Sequence, residues 1–218
     1  MIRAIQLGVA YVVLLVATAG QVQASFITGF GDPLSAIPGG TQVDFESGPS
    51  ATLSSYADSG VTISGIGGPI RINANYSGLY NMTGRHADNN GGSTTAGFLF
   101  DFDHLVDAFA FNFGATNANW TLSAFDQNGN LIESYAVPLT DGSNAGEFFG
   151  IQASGIATIT LTHSGGDWVL LDNFTFSEQS VAAVPEPSSL AIFGICACVA
   201  GVGSARRRRR EKQQEVTA

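Results

Sequence analysis

Phe98, Phe100 and Phe102 fall on alternate positions, and Phe109, Phe111 and Phe113 repeat the pattern a few residues later. A helix would scatter such residues around its circumference, whereas a strand sets each trio on one face. Trp120, Leu122 and Ala124 continue the period of two. The run Asp126-Gln127-Asn128-Gly129-Asn130 then separates strand 121–125 from strand 131–135, and Asn-Gly marks a hairpin because both residues tolerate positive φ. Further strands are predicted at 43–46, 61–66, 70–74, 148–152, 156–162 and 168–176. Eight or nine short strands with glycine-rich turns predict an all-β fold, a single antiparallel β-sandwich of jelly-roll-like type over residues 41–176. Residues 25–40 read as a linker or irregular N-terminal arm, 76–97 as a long surface loop, and 177–184 as a spacer. Between 25 and 184 no stretch carries sustained helical periodicity with caps.

Composition supports a folded core. Apolar residues make up 44% of the 218 positions, 15 of them phenylalanine, enough to offset the entropy of ordering the chain. Charged residues are only 12%, about half the ~25% of an ordinary soluble protein. Between Ser25 and Val184 stand 11 Asp and 4 Glu against Arg71 and Arg85, a net charge of −13 before histidine. Such a surface repels nucleic acid and anionic lipid, and favours divalent cations or neutral glycans; solubility alone is the other reason for it.

Both ends carry targeting patterns. Arg3, an apolar run over 7–19 and Val22-Gln23-Ala24 make residues 1–24 a secretory signal peptide cleaved between Ala24 and Ser25. An uncleaved anchor is the alternative, but the run is short for ~30 Å of hydrocarbon. At the other end Pro185-Glu186-Pro187 leads into an apolar transmembrane segment at 190–203. Arg206, Arg207, Arg208, Arg209 and Arg210 follow, with 211–218 as a cytoplasmic tail. The arginines stay inside and the domain outside by the positive-inside rule. The only cysteines, Cys196 and Cys198, lie in the apolar segment, so the exported domain has neither a disulfide nor a catalytic thiol.

Pro185-Glu186-Pro187, the apolar segment and Arg206 to Arg210 together resemble the C-terminal signal of PEP-CTERM exported bacterial proteins. The tail at 211–218 is longer than such signals usually carry. The resemblance implies processing near the motif by exosortase, a membrane-embedded cysteine transpeptidase, in Gram-negative bacteria that make exopolysaccharide. Two prolines keep the motif extended and short of amide donors, a form a protease grips as an open strand. Phe109 to Gly114, Trp120-Thr121-Leu122, Asn128-Gly129-Asn130 and Gly166 to Phe174 are similar to the sandwich domain that often accompanies this signal. That domain is similar in layout to jelly-roll carbohydrate-binding modules.

In such modules a structural calcium joins acids on the first and last strands. The matching residues here are Asp44, Glu46, Asp172 and Asn173, with a solvated acidic edge as the alternative. For glycan, aromatic faces stack on sugar rings while amides and carboxylates bond hydroxyls. Tyr76, Tyr80, Asn81, Arg85, His86, Asp88, Asn89 and Asn90 cluster in the 76–97 loop, which makes it the expected contact surface, unless it is an ordinary flexible insertion. Trp120 and Trp168 are weaker candidates for stacking on sugar, because each sits in an alternating strand and is expected in the core.

No catalytic residues are assigned. His86, His104 and His163 lack metal-ligand spacing, there is no Gly-x-Ser-x-Gly elbow, and Asp101 with Asp103 reads as a solvated strand face. The expectation is a non-enzymatic exported protein. It is sorted by exosortase to the cell surface or extracellular matrix, with a structural or adhesive role beside exopolysaccharide or surface glycan. It is held at the inner membrane through its C-terminal helix until processed. The alternatives are a calcium-dependent carbohydrate-binding module and, last, a glycan-cleaving enzyme.

Overall fold

The computed structural model describes residues 23–91 and 96–179, and the features below belong to them. Most of the signal peptide, the sorting motif with Pro185, Glu186 and Pro187, the transmembrane segment, Arg206 to Arg210 and the tail lie outside the described residues. Twelve strands follow in order: β1 (Ser25–Phe30), β2 (Thr41–Val43), β3 (Ala51–Leu53), β4 (Ser55–Asp58), β5 (Val61–Ile66) and β6 (Ile70–Asn73), then β7 (His86–Asp88), β8 (Gly97–Gly114), β9 (Trp120–Phe125), β10 (Leu131–Val137), β11 (Glu147–His163) and β12 (Leu170–Glu178). A single 3-10 turn, Pro33–Ser35, is the one helical element among the described residues, started by Asp32 accepting from the Leu34 amide. The all-β antiparallel expectation stands.

Two strands are about three times the usual ~5–6 residues, and they explain the architecture. The first part of β8 pairs with β5 and with the second part of β11, which continues to β9 and β10. The second part of β8 pairs with β12 and with the first part of β11, whose other edge carries β1. β12 in turn carries β2 and β7, and β7 leads to β6 and β3. Both long strands therefore bend over a corner and serve two layers. In β11 the corner is the register shift between Gln152 and Ile156, where Gly155 takes φ 79°.

The rings show the two layers facing each other. Phe100, in the first half of β8, stacks on Phe174 of β12 at 4.7 Å and 8°, and lies 6.1 Å from Phe111 in the second half of its own strand. Phe98, Phe109, Phe113, Leu122, Ile159 and Leu161 complete a core with no solvent exposure. Burying each such side chain contributes roughly 1.5–3 kcal/mol, so the alternating phenylalanines stabilise the sandwich together with the Leu and Ile side chains they pack among.

Residues 25–40 are not a linker. Ser25, expected at the signal-cleavage bond after Ala24, opens β1, which runs in register from Ser25↔Gln152 to Phe30↔Glu147. Ile37 then packs with Ala108, Ala110 and Phe148 on the outer side of β8. That cover buries both faces of the strand from Ala108 to Gly114, where a simple alternation of exposed and buried residues was expected. The domain thus starts at residue 25, and β12 runs two residues into the predicted spacer. Residues 76–97 are likewise more than surface loop, since they contain β7, all of it buried.

Folding the long strands over their corners sorts the connections to two poles. Residues 74–85, 115–119, 138–146 and 164–169 gather at one. The corners, the 126–130 hairpin turn and Gln179 gather at the other, where the Gln179 amide bonds the Leu105 carbonyl and the Asp103 amide bonds the Gly60 carbonyl.

Candidate functional site

Three half-buried rings meet at the loop pole. Trp168 lies edge-on to Tyr76 at 4.5 Å and to Tyr80 at 6.5 Å, and the two tyrosines are 5.8 Å apart. Beside them a cleft of about 360 Å³ opens among Tyr80, Gly91, Ala115, Asn117, Asp141 and Trp168. Five separate connections contribute to its walls, so its shape depends on how those loops are tied together.

Buried polar side chains make the ties. Oδ2 of Asp167, a residue 3% exposed, accepts from Trp120 Nε1 at 2.8 Å, from the amides of Asn117 and Ala118, and from Thr116 Oγ1. Asn81 donates to the Phe113 carbonyl and accepts from the Gly146 amide. Asn89 donates to the Asp167 carbonyl and accepts from the Val169 amide. Asp88 takes Arg71 Nε at 3.0 Å, Asn73 Nδ2 at 2.7 Å and the Asn90 amide. Buried donors and acceptors left unmade would each cost about 1–3 kcal/mol, so these bonds determine the loop conformations.

The backbone carries the cost of this arrangement. Tyr80 (φ 53°), Ala115 (φ 62°) and Asp141 (φ 38°) line the cleft in the left-handed region, with Asn81 (φ 65°) and Asn90 (φ 51°) next to them. Non-glycine residues avoid this region, and clusters of them accompany binding and catalytic sites. Gly114 lacks the Cβ that would collide with the Tyr80 carbonyl, so the 74–85 loop can lie directly against the end of β8.

The expected glycan residues divide accordingly. Tyr76 and Tyr80 reach the aromatic cluster. Asn81 and Asn89, expected to face ligand, are instead buried and spent on loop ties, and Asn90 backs onto Asp88. Arg85 turns to the β2–β3 connection, where its guanidinium donates to the carbonyls of Glu46 and Gly48. His86 is buried under Tyr76, and burial pushes its imidazole below the ordinary value against the pull of Asp88. Trp120 is core as expected, but Trp168 precedes β12 by two residues and belongs to the cleft. Asn117 and Asp141 carried no sequence signal at all.

The four residues matched to calcium are only partly brought together. Asp172 Oδ2 accepts from the Thr83 amide at 2.8 Å and from Thr83 Oγ1, and Oδ1 accepts from the Asn173 amide. Glu46 Oε1 accepts from the Arg85 amide two residues further along the same loop. Burial pushes the Asp172 carboxyl up to about 7; the Thr83 and Asn173 donors oppose the shift and the Glu46 charge adds to it. Asp44 folds back onto the Glu46 amide, and Asn173, in a left-handed bulge (φ 49°), donates to Asn112 Oδ1. Among the described residues no three His, Cys, Asp or Glu side chains converge as a metal cluster. Glu46 and Asp172 thus share the Thr83 to Arg85 segment, while Asp44 and Asn173 have other partners.

Residues 183–210 match the PEP-CTERM protein-sorting motif, the mark of an exported protein processed by exosortase. No curated protein matches the chain. Among solved structures, the fold is similar to TmCBM61 in complex with β-1,4-galactotriose (17% identity, 62% of this chain, 94% of that one, TM-score 0.36). It is also similar to a family 11 carbohydrate-binding module of Clostridium thermocellum (13% identity, 64% and 95%, TM-score 0.33). A third likeness is to a family 43 arabinoxylan arabinofuranohydrolase from Bacillus subtilis, with 16% identity, 51% of this chain and TM-score 0.35; the match spans 25% of that enzyme's length.

Proposed function

We propose that this exosortase-sorted protein works at the cell surface or in the extracellular matrix as an adhesive domain that binds glycan at the loop-pole cleft. The observation that carries the reading is the Tyr76, Tyr80 and Trp168 cluster beside a 360 Å³ cleft. Apolar ring faces there suit sugar C–H faces, and the neighbouring Asn117 and Asp141 suit sugar hydroxyls. The reading is non-catalytic. Asp101 and Asp103 lie on β8 at and next to its corner, remote from the cleft, and Asp101 accepts from Thr158 Oγ1 on the outer face. A calcium-dependent binding module is a second reading, which rests on Glu46 and Asp172 sharing the Thr83 to Arg85 segment.

The test is migration through native gels containing purified polysaccharides, the producing strain's exopolysaccharide among them, with the wild type compared to Trp168→Ala. Retardation that Trp168→Ala abolishes supports the reading. Unretarded migration in every gel would leave a passive acidic surface domain in its place.

A further inference from the structure

The charge around the cleft bears on which sugar could occupy it, and the exported domain has only two strong cations to place there. Arg71 is paired with Asp88 at 3.0 Å, and Arg85 is held by the carbonyls of Glu46 and Gly48. Neither lines the cleft. Of the histidines, His86 is buried beneath Tyr76, His163 packs against Trp120 at 4.1 Å, and His104 sits at the β8 corner at the opposite pole.

The cleft does have carboxylates. Asp167 is buried and occupied by four donors. Asp141 is exposed at the rim, its backbone set by its amide bonding the Thr116 carbonyl, and among the described residues nothing is hydrogen-bonded to its side chain. Tyr80 and Trp168 stand beside it on the same cleft. A free carboxylate next to aromatic faces, with no cation to oppose it, is complementary to an ammonium group: the carboxylate pairs with the charge and the ring quadrupole adds to it. The surrounding net charge of −13 between residues 25 and 184 concentrates cations in the same place and repels anions.

Resting on the glycan-binding reading above, we infer that the cleft selects deacetylated amino sugars, seating a sugar ammonium between Asp141 and the Tyr80 and Trp168 rings, and rejects uronates. The chemistry is reversible binding with no bond made or broken.

The test is calorimetric titration of the full chain in detergent at mildly acidic pH, where sugar amines are protonated. Three sets of oligosaccharides are compared: glucosamine, N-acetylglucosamine and galacturonate. Glucosamine oligomers are expected to bind about five-fold more tightly than the acetylated ones, with galacturonate unbound. Asp141→Asn should erase that five-fold gap. Asp103→Asn removes the same charge at the opposite pole and should preserve it, which separates the site from the general field. Equal binding of glucosamine and N-acetylglucosamine, a gap that survives Asp141→Asn, or binding of galacturonate would overturn the inference while leaving glycan binding intact. Failure of all three sets and of neutral polysaccharides would overturn the glycan-binding reading itself, and the inference with it.

Discussion

The indole nitrogen of Trp120, in the core, donates to Oδ2 of Asp167, in the wall of the cleft, at 2.8 Å. One bond thus connects the packed interior to the loops that would hold a ligand, and three further donors from residues 116–118 end on the same oxygen.

Asp167→Ala should therefore do more than delete a surface acid. It leaves the Trp120 indole and the Asn117 and Ala118 amides without an acceptor, while the Thr116 hydroxyl keeps the Ala118 carbonyl, and should destabilise the sandwich by about 2–4 kcal/mol in urea unfolding, with a shift in Trp120 emission. Asp167→Asn retains a carbonyl acceptor and should cost less than half as much. Equal, small losses in both variants would show that the four bonds are not holding the loops.

Gly114→Ala tests the contact between the end of β8 and Tyr80. The added methyl collides with backbone, which yields less readily than a side chain, so the 74–85 loop must move. A loss of about 1–3 kcal/mol is expected, together with weakened retardation by polysaccharide. Gly142→Ala meets nothing within 4 Å and is the control, expected to change stability by less than about 0.5 kcal/mol. Indistinguishable melting of the two variants would contradict the close approach.

Asp172 should impose an unusual slope on the pH dependence of stability. Its carboxyl titrates at about 7 in the fold, against ~3.9 in an unfolded chain. Between those values the folded state holds a proton that the unfolded state has lost. Its contribution is therefore complete below about pH 4, is lost as the pH rises to about 7, and is flat above. Asp172→Asn should gain on the wild type over that window, by up to roughly 4 kcal/mol at about 1.4 kcal/mol per unit. The variant-minus-wild-type difference isolates this residue from the repulsion of the other acids, and a pH-independent difference would refute the assignment.

Calcium separates the two binding readings. With Asp44 and Asn173 turned to other partners, millimolar calcium and chelator should give melting temperatures within about 1 °C of each other. A rise of several degrees on adding calcium, lost in Glu46→Gln, would favour the calcium-dependent module.

What the sequence reveals here is what repeats locally. Phe98 to Phe102 and Phe109 to Phe113 announce buried strand faces, and Val61–Ile66 is found where alternation puts it. That the two phenylalanine runs belong to one strand is not legible, because Asp103 and His104 between them resemble a break while the corner is made by partners far along the chain. β7 was hidden by its polarity: His86 and Asp88 look exposed until Arg71 and Asn73 are seen to satisfy the carboxylate. The same rule misled the site. Asn81 and Asn89 suggested ligand contact but are loop ties, and Trp168, placed in the core by parity with β12, escapes it because the strand begins two residues later.

Trp168 stands just before β12 and Gln179 just after it, so the cleft and the exit toward the sorting motif lie at the two ends of one nine-residue strand, roughly 30 Å apart. Tension between a bound polymer and whatever retains the C-terminus would run along that strand. β12 is bonded to β8 on one edge and to β2 and β7 on the other. Where a polymer grips the neighbouring loops at Tyr80 and Asp141, a pull on the C-terminal end of β12 loads its rungs in parallel, as shear, and does not peel them one at a time. The domain has the geometry of a tensile link.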